Sequence, residues 1–253
     1  MSQPEPLSLT SVHLEMFFNG QPLGVNGSGF VIQTRAGPML VTAMHNLTGR
    51  EIDGKCKHTL GALPNTVTLK NYFGLLSKDV PLFQGDNDPN HATQRFFTHA
   101  SRTVDVALLP LPPTVCQHAA NILDPSLWRP LRYAAGIPVV RPGDECYAIG
   151  YPEGLTNNLG SDSVLPVWKV GHIANDAQFA FNGEDLCLID ASTRPGVSGA
   201  PVFIVRRSWD DAISHCRLVG VYSGRTSDTS QLGRVWKPTI IHEILQAQFA
   251  ETW

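Results

Sequence analysis

Short hydrophobic runs recur along most of this chain, separated by polar stretches and turn formers. Val12–Phe18, Gly29–Gln33, Met39–Thr42 and Thr66–Leu69 are rich in β-branched or aromatic residues and bounded by Asn19-Gly20 or Ala36-Gly37-Pro38. That pattern predicts strands joined by tight turns. Residues 1–9 read as a loose lead-in. Gly74–Ala100 reads as polar and interrupted, with an exposed loop over Gly85–Asn90. Val104–Leu109 is an apolar run holding a single acid, Asp105, and Pro110 ends it. Strand signals fade from Pro112 to Arg132, where Cys116–Leu123 reads as a helical turn. They resume at Cys146–Ile149, Leu165–Ile173, Leu186–Ile189, Pro201–Val205, Arg217–Tyr222 and Gly233–Lys237. Only over Pro238–Gln248 does the period change. Ile241, Ile244, Leu245 and Phe249 recur at helical spacing, and Pro238 suits a first helical turn. The chain thus reads as all-β, with a β-rich half over 1–112, a connector over 113–137, and a second β-rich half with a C-terminal helix over 138–253.

Composition narrows this further. Of 253 residues, 42% are hydrophobic and 16% charged. That is enough apolar material for a large core, and it argues against disorder. The net charge is −3 and no Lys/Arg block stands out, so no electrostatic footprint for nucleic acid is present. No apolar run reaches the length of a membrane span. The start, Met1 to Pro6, lacks the basic and apolar regions of a secretory signal. The five cysteines form no C-x-x-C pair, and Cys146 and Cys187 sit in strand-like runs as small buried apolar residues. A reducing compartment, the cytoplasm, is therefore expected. His242-Glu243 begins like a zinc motif but lacks the second histidine, and reads as a surface pair on the last helix. His172 and His215 read as strand-end residues. No metal and no cofactor are expected.

Three segments carry candidate chemistry. In Leu40–Asn46, His45 follows an apolar strand, at the mouth of a sheet where an imidazole can act as a general base. A solvated loop histidine would look the same. Asp105 lies inside an apolar run, where an acid is costly unless paired; a histidine N–H would serve, and so would water at a strand edge. In Ser192–Pro201, Gly196-Val197-Ser198-Gly199 forms a sharp turn that projects a hydroxyl and aims backbone N–H groups at one point. Acyl transfer needs that arrangement of nucleophile and oxyanion hole; a plain glycine-rich turn is the alternative. Together the segments run His, Asp, Ser, an order found in serine proteases, whereas α/β-hydrolases run Ser, Asp, His. Ala200 also stands where the G-x-S-x-G elbow of that second fold needs glycine.

Gly27-Ser28-Gly29-Phe30 with Leu40–Asn46 resembles the "GSGF…VTAxH" segment of trypsin-like peptidases. Val104–Leu109 is similar to their aspartate strand, and Gly196–Pro201 to their "G-x-S-G-x-P" loop. Ala148–Pro152 ("AIGYP") and Trp168–Ala174 ("WK-x-G-x-I-A") resemble segments of intracellular bacterial members. The resemblance runs from about residue 12 to 248. It implies two perpendicular six-stranded antiparallel barrels with the site between them. It implies a serine endopeptidase acting on protein or peptide substrates through His45, Asp105 and Ser198, with the N–H groups of Gly196 and Ser198 as oxyanion hole. Ser192, Thr193 and Arg194 would line one wall of the specificity pocket. Tyr222, Ser223, Gly224 and Arg225 would supply the other wall and the edge that pairs with an extended peptide. Arg194 or Arg225 would favour acidic residues by charge-assisted pairing; Tyr222 filling the pocket would instead favour small ones.

Two departures stand out. Val197 replaces the aspartate that pairs with a new N-terminus in zymogen-activated members, and Asn46 follows His45 where those members carry a disulfide cysteine. Activity would then need another gate, a regulatory partner protein or a ligand. Bacterial relatives are often paired with sensor proteins in defence or stress systems. Three readings stay open beside the endopeptidase: a catalytically idle binding or regulatory module, an esterase on the same fold, and a viral polyprotein-processing protease, which Thr193–Gly199 also resembles.

Overall fold

The computed structural model describes residues 4–58, 61–84, 93–117, 122–128, 139–155, 157–160, 162–191, 193–207, 213–227 and 229–249. The expected loop over Gly85–Asn90 lies outside these residues, as does Ser192. The chain opens with a helical turn, α1 (Pro6–Thr10), followed by β1 (Ser11–Phe18), β2 (Gln21–Thr34), β3 (Gly37–Thr42) and a short helix, α2 (Met44–Thr48). Next come β4 (Thr66–Asn71), β5 (Gly74–Pro81), β6 (Phe83–Gln84), β7 (Thr93–Gln94), β8 (Phe97–Thr98) and β9 (Ala107–Pro110). A 3-10 turn (Pro113–Gln117), β10 (Ile122–Leu123) and α3 (Pro125–Trp128) lead to the second half. That half holds β11 (Glu145–Gly150), β12 (Asn157–Gly160), β13 (Ser163–Leu165), β14 (Val167–Ile173), β15 (Leu186–Asp190), β16 (Pro201–Arg207), β17 (Ile213–Arg225), β18 (Leu232–Trp236) and α4 (Pro238–Phe249).

In the second half β11, β14, β15, β18, β17 and β16 close into a six-stranded barrel. In the first half β5, β4, β1, β2, β3, β9 and β8 pair in that order, and β10 adds to β2 in parallel. This first sheet has eight strands rather than six, and no pair among the described residues joins its ends.

Strand alternation sorts the apolar side chains into three cores. Along β1, Val12, Leu14 and Met16 point into the first sheet's own cluster, while Ser11 and His13, on the opposite face, meet the second half. Ser11 Oγ donates to the Ile149 carbonyl (2.8 Å), and His13 lies 5.1 Å from the Tyr151 ring. Leu40 and Leu109 likewise face the first cluster, whereas Met39, Val41 and Leu108 face a shared one. From the barrel, Cys146, Ala148, Val202 and Ile204 line the interior, while Ile149 and Phe203 join the shared cluster. Trp128, Trp236 and the α4 residues Ile240, Ile241, Ile244 and Leu245 complete that shared cluster. A single apolar layer thus ties the two halves together.

Several expectations are corrected. Residues 6–10 are not a loose lead-in: Leu7 is buried, and Ser8 Oγ accepts a bond from Trp168 Nε1 (2.8 Å). Asp105 is not inside a strand; β9 begins only at Ala107. The run Leu165–Ile173 is broken at Pro166, which has no N–H for a ladder. Gly74–Pro81, read as interrupted, is an eight-residue strand paired with β4. His242 is not on the surface: it is buried, stacked on Trp128 at 5.2 Å.

Candidate active site

The register between β3 and β9 builds the first part of the site. Thr42, the last residue of β3, pairs with Ala107, the first of β9. An antiparallel pair at that point sets the segment after β3 beside the segment before β9. His45 and Asp105, sixty positions apart, thereby meet. The turn into α2 points the His45 backbone N–H at Asp105 Oδ1 (3.0 Å) and ring Nδ1 at Oδ2 (2.7 Å). Gly49, in the left-handed region at φ 67°, ends the helix by donating to the His45 carbonyl (3.0 Å).

Both side chains are almost fully buried, 2% exposed each. Burial pushes the Asp105 carboxyl up, but the charge and hydrogen bonds of His45 together outweigh it and hold it below the usual carboxylate range. An ionised carboxylate can only accept, so Nδ1 carries the proton. In the neutral ring the Nε2 lone pair is then free to take one. Nε2 is buried and has no hydrogen-bond partner, so no bond joins it to Ser198.

Ser198 sits in the loop between β15 and β16. Gly196 and Gly199 flank it, both at φ +90°. A Cβ on Gly196 would lie 2.4 Å from the Tyr151 carbonyl oxygen, and one on Gly199 would lie 2.0 Å from that of Ser28. Only glycine fits either place. The carbonyl of Pro195 accepts from Glu153 N–H (2.8 Å), and that of Val197 from Ala200 N–H (2.9 Å). In a trans peptide the N–H points opposite to its carbonyl. The N–H groups of Gly196 and Ser198 are therefore turned away from those anchors, and among the described residues neither is donated. Two free donors beside a serine hydroxyl can stabilise an oxyanion.

Polar stitches hold the two halves in this arrangement. Ser28 N–H donates to the Ser198 carbonyl (2.9 Å), and Ser28 Oγ donates to the Gly196 carbonyl (2.7 Å). The same Oγ accepts Tyr151 N–H (2.9 Å). Asn46 Nδ2 donates to the Ser198 carbonyl (2.8 Å) and to Thr42 Oγ1 (3.0 Å). Ser28 and Asn46 carry no catalytic signature in sequence; only Ser28's place in Gly27–Phe30 hinted at a role.

A cleft of about 310 Å³ brings His45 and Ser198 together with Thr193, Arg194, Tyr222, Ser223, Gly224 and Arg225. It is also lined by Glu51, Lys57 and Arg234, which sequence reading missed. Arg234 shares a signal with Asp105: a lone charge in an apolar run, here Leu232–Trp236. Nothing comparable marks Glu51 or Lys57. Tyr222 is buried, with its hydroxyl bonded to Thr193 Oγ1 and its ring against Gly233, where a Cβ would come within 2.4 Å. It therefore forms a wall of the cleft. Val197 is buried in the barrel's apolar cluster.

The trypsin-like peptidase domain family matches residues 27–208, a span that contains His45, Asp105 and Ser198. Protease Anisep from Arthrobacter nicotinovorans is similar in structure, with a TM-score of 0.54 at 15% identity, over 98% of this chain and 98% of that one. The serine endoprotease from Yersinia pestis gives 0.52 at 14% identity, over 96% of this chain and 64% of that one. The thermostable serine protease AL20 from an extremophilic microorganism gives 0.50 at 13%, over 98% and 100%. At such identities the structures share a fold. No curated protein sequence matches the chain.

Proposed function

The chain belongs to the trypsin-like peptidase family, and is a hydrolase of that fold; from that premise we propose that it is a serine endopeptidase working through Ser198, His45 and Asp105. Ser198 Oγ attacks the scissile carbonyl. His45 Nε2 takes its proton and later gives it to the leaving amine. Asp105 fixes the tautomer of His45 and stabilises the imidazolium. The N–H groups of Gly196 and Ser198 receive the oxyanion, and the acyl-enzyme is then hydrolysed by water. We read the eight-stranded sheet as the counterpart of the first barrel, with the connector between the halves.

The observation that carries this reading is the buried His45–Asp105 pair opening, with Ser198, onto one cleft. The unmade Ser198–His45 bond supports a gate, a partner or a substrate whose arrival tightens the pair; catalytic hydrogen bonds often close only in the substrate complex. Free thiols at Cys56, Cys146, Cys187 and Cys216 support a reducing, cytoplasmic setting. No helix among the described residues is long and apolar enough to cross a membrane.

Fluorophosphonate labelling with peptide mapping tests the proposal. A single adduct on Ser198, absent from Ser198→Ala, is expected. An unreactive protein that also cleaves no peptide would favour the idle binding module, and ester turnover without peptide cleavage would favour the esterase.

A further inference from the structure

The cleft beside Ser198 holds an imbalance of charge. It is lined by Lys57, Arg194, Arg225 and Arg234 against a single acid, Glu51. That acid is already engaged by Lys57, at 3.4 Å. Among the described residues no carboxylate pairs with Arg194, Arg225 or Arg234. Arg194 and Arg225 are exposed and can be served by water. Arg234 is different: its Nε is buried and has no hydrogen-bond partner. Buried polar atoms are normally satisfied, so an orphaned N–H on a guanidinium that lines the cleft marks a place where an acceptor is missing.

The neighbouring groups ask for the same kind of ligand. Gly224 pairs with Arg234 across β17 and β18, and Tyr222 lies two residues earlier on β17. The hydroxyls of Tyr222 and Thr193 bond to each other. One such bond uses one of their two protons, so whichever hydroxyl donates, the other proton stays free to be given outward. The Tyr222 hydroxyl is held protonated, because burial raises its pKa more than Thr193, Arg225 and Arg234 lower it. Arginine offers a fork that matches a carboxylate with two parallel bonds.

We propose that this pocket selects an acidic side chain, Asp or Glu, on the acyl side of the cleaved bond, with Arg234 as the residue that reads it. The inference rests on the endopeptidase reading for its cleavage chemistry, but the pocket can also be tested by binding alone. Arg225 and Arg194, at the rim, draw the acidic segment in by long-range attraction.

The test uses the full chain and one quenched peptide series that differs at a single position: Glu, Asp, Gln, Asn, Ala, Leu or Lys. Wild type should cleave after Glu or Asp with kcat/KM at least about tenfold above Gln or Asn, the scale of one charge-assisted bond. Arg234→Gln should bring that ratio close to one, Arg234→Lys should restore part of it, and exposed Arg225→Gln should lower it less. A merely structural Arg234 would lower kcat/KM for all peptides alike and leave the ratio unmoved, overturning the proposal. So would a preference for apolar or basic residues. Should Arg234→Gln fail to fold, the Arg234→Lys ratio and the wild-type preference decide. In parallel, Glu and Gln peptides are titrated against Ser198→Ala by fluorescence anisotropy. Tighter binding of the Glu peptide, with wild type cleaving none of the series, would sink the endopeptidase reading and leave the pocket standing. Cleavage without acidic preference would do the reverse.

Discussion

Asn46 Nδ2 donates a 2.8 Å hydrogen bond to the carbonyl of Ser198. The bond joins the residue after His45, in α2 of the first half, to the residue that carries the hydroxyl, in the loop between β15 and β16. The same nitrogen holds Thr42 Oγ1 at 3.0 Å, and Thr42 donates in turn to the Ser28 carbonyl (2.7 Å). Asn46 is buried, 2% exposed. In the proposed mechanism it is a positioning residue, fixing the distance between base and nucleophile without touching substrate. Asn46→Ala should lower kcat by about ten- to a hundredfold with KM little changed, because small misplacements of reacting groups are costly. Loss of a buried bond should also cost about 1–3 kcal/mol in urea denaturation. Wild-type kcat in this variant would remove the role.

The triad assignment predicts steep and unequal losses. Ser198→Ala and His45→Ala should each lower kcat by about five to six orders of magnitude, because the residues act as a unit. Asp105→Asn should cost roughly four orders by presenting the wrong tautomer. Ser198→Ala should melt with wild type, since among the described residues its Oγ has no bonded partner. Burst-phase and steady-state assays on the three variants check the ranking, and near-normal turnover in Asp105→Asn would end the assignment.

In the proposed mechanism Gly196 supplies one oxyanion donor, and only while its peptide keeps its present orientation. Gly196→Ala would press a methyl 2.4 Å from the Tyr151 carbonyl at φ +90°, so the loop must shift. Activity should fall by about a hundred- to a thousandfold, the loss seen on removing one such donor. The rate of fluorophosphonate labelling of Ser198 should fall with it. An unchanged labelling rate would show that the N–H of residue 196 does not hold the oxyanion.

His13 gives the fold a pH dependence separate from catalysis. It is buried against Tyr151, and neither ring nitrogen has a hydrogen-bond partner. Burial lowers its pKa to about 4, with Lys70 adding to the effect and Glu15 opposing it. The unfolded value is about 6.5. Between these values the unfolded chain binds more protons than the folded one, so stability rises with pH across the window. This contribution is complete above pH 6.5, is lost as pH falls, and amounts to about 3 kcal/mol in all. Urea midpoints at pH 7.5, 6 and 4.5 should drop in that order, and His13→Leu should flatten the change. Equal pH slopes for variant and wild type would place the charge change elsewhere.

Legibility followed range along the chain. Strand stretches were readable where alternation was clean, as over Val12–Met16, or where a short β-branched or apolar run lay between turn formers, as at Met39–Thr42, which is buried on both faces. His45, Asp105 and Ser198 stood out as candidates because each sits in a local pattern that its residue type makes costly or purposeful. The C-terminal helix was visible through Ile241, Ile244 and Leu245. Short helices were not. α1 and α2 span five residues each, too few for a helical period to emerge. Asp105 was misplaced into a strand because an apolar run reports burial, and Val104 and Val106 are buried without belonging to β9.

By itself, then, the sequence determined which side chains must be hidden, which turns must be glycine, and which groups are candidates to move a proton. The tertiary structure decided what each of these meets. Only the Thr42–Ala107 register brings Asp105 to His45, only the packed halves set Asn46 and Ser28 against the Ser198 loop, and only the barrel places Arg234 in the same cleft as Ser198. The physical reason is that periodicity and composition are properties of neighbours along the chain. Hydrogen-bond partners and the charge balance of a cleft depend instead on residues far apart in sequence, which only the folded packing brings into contact.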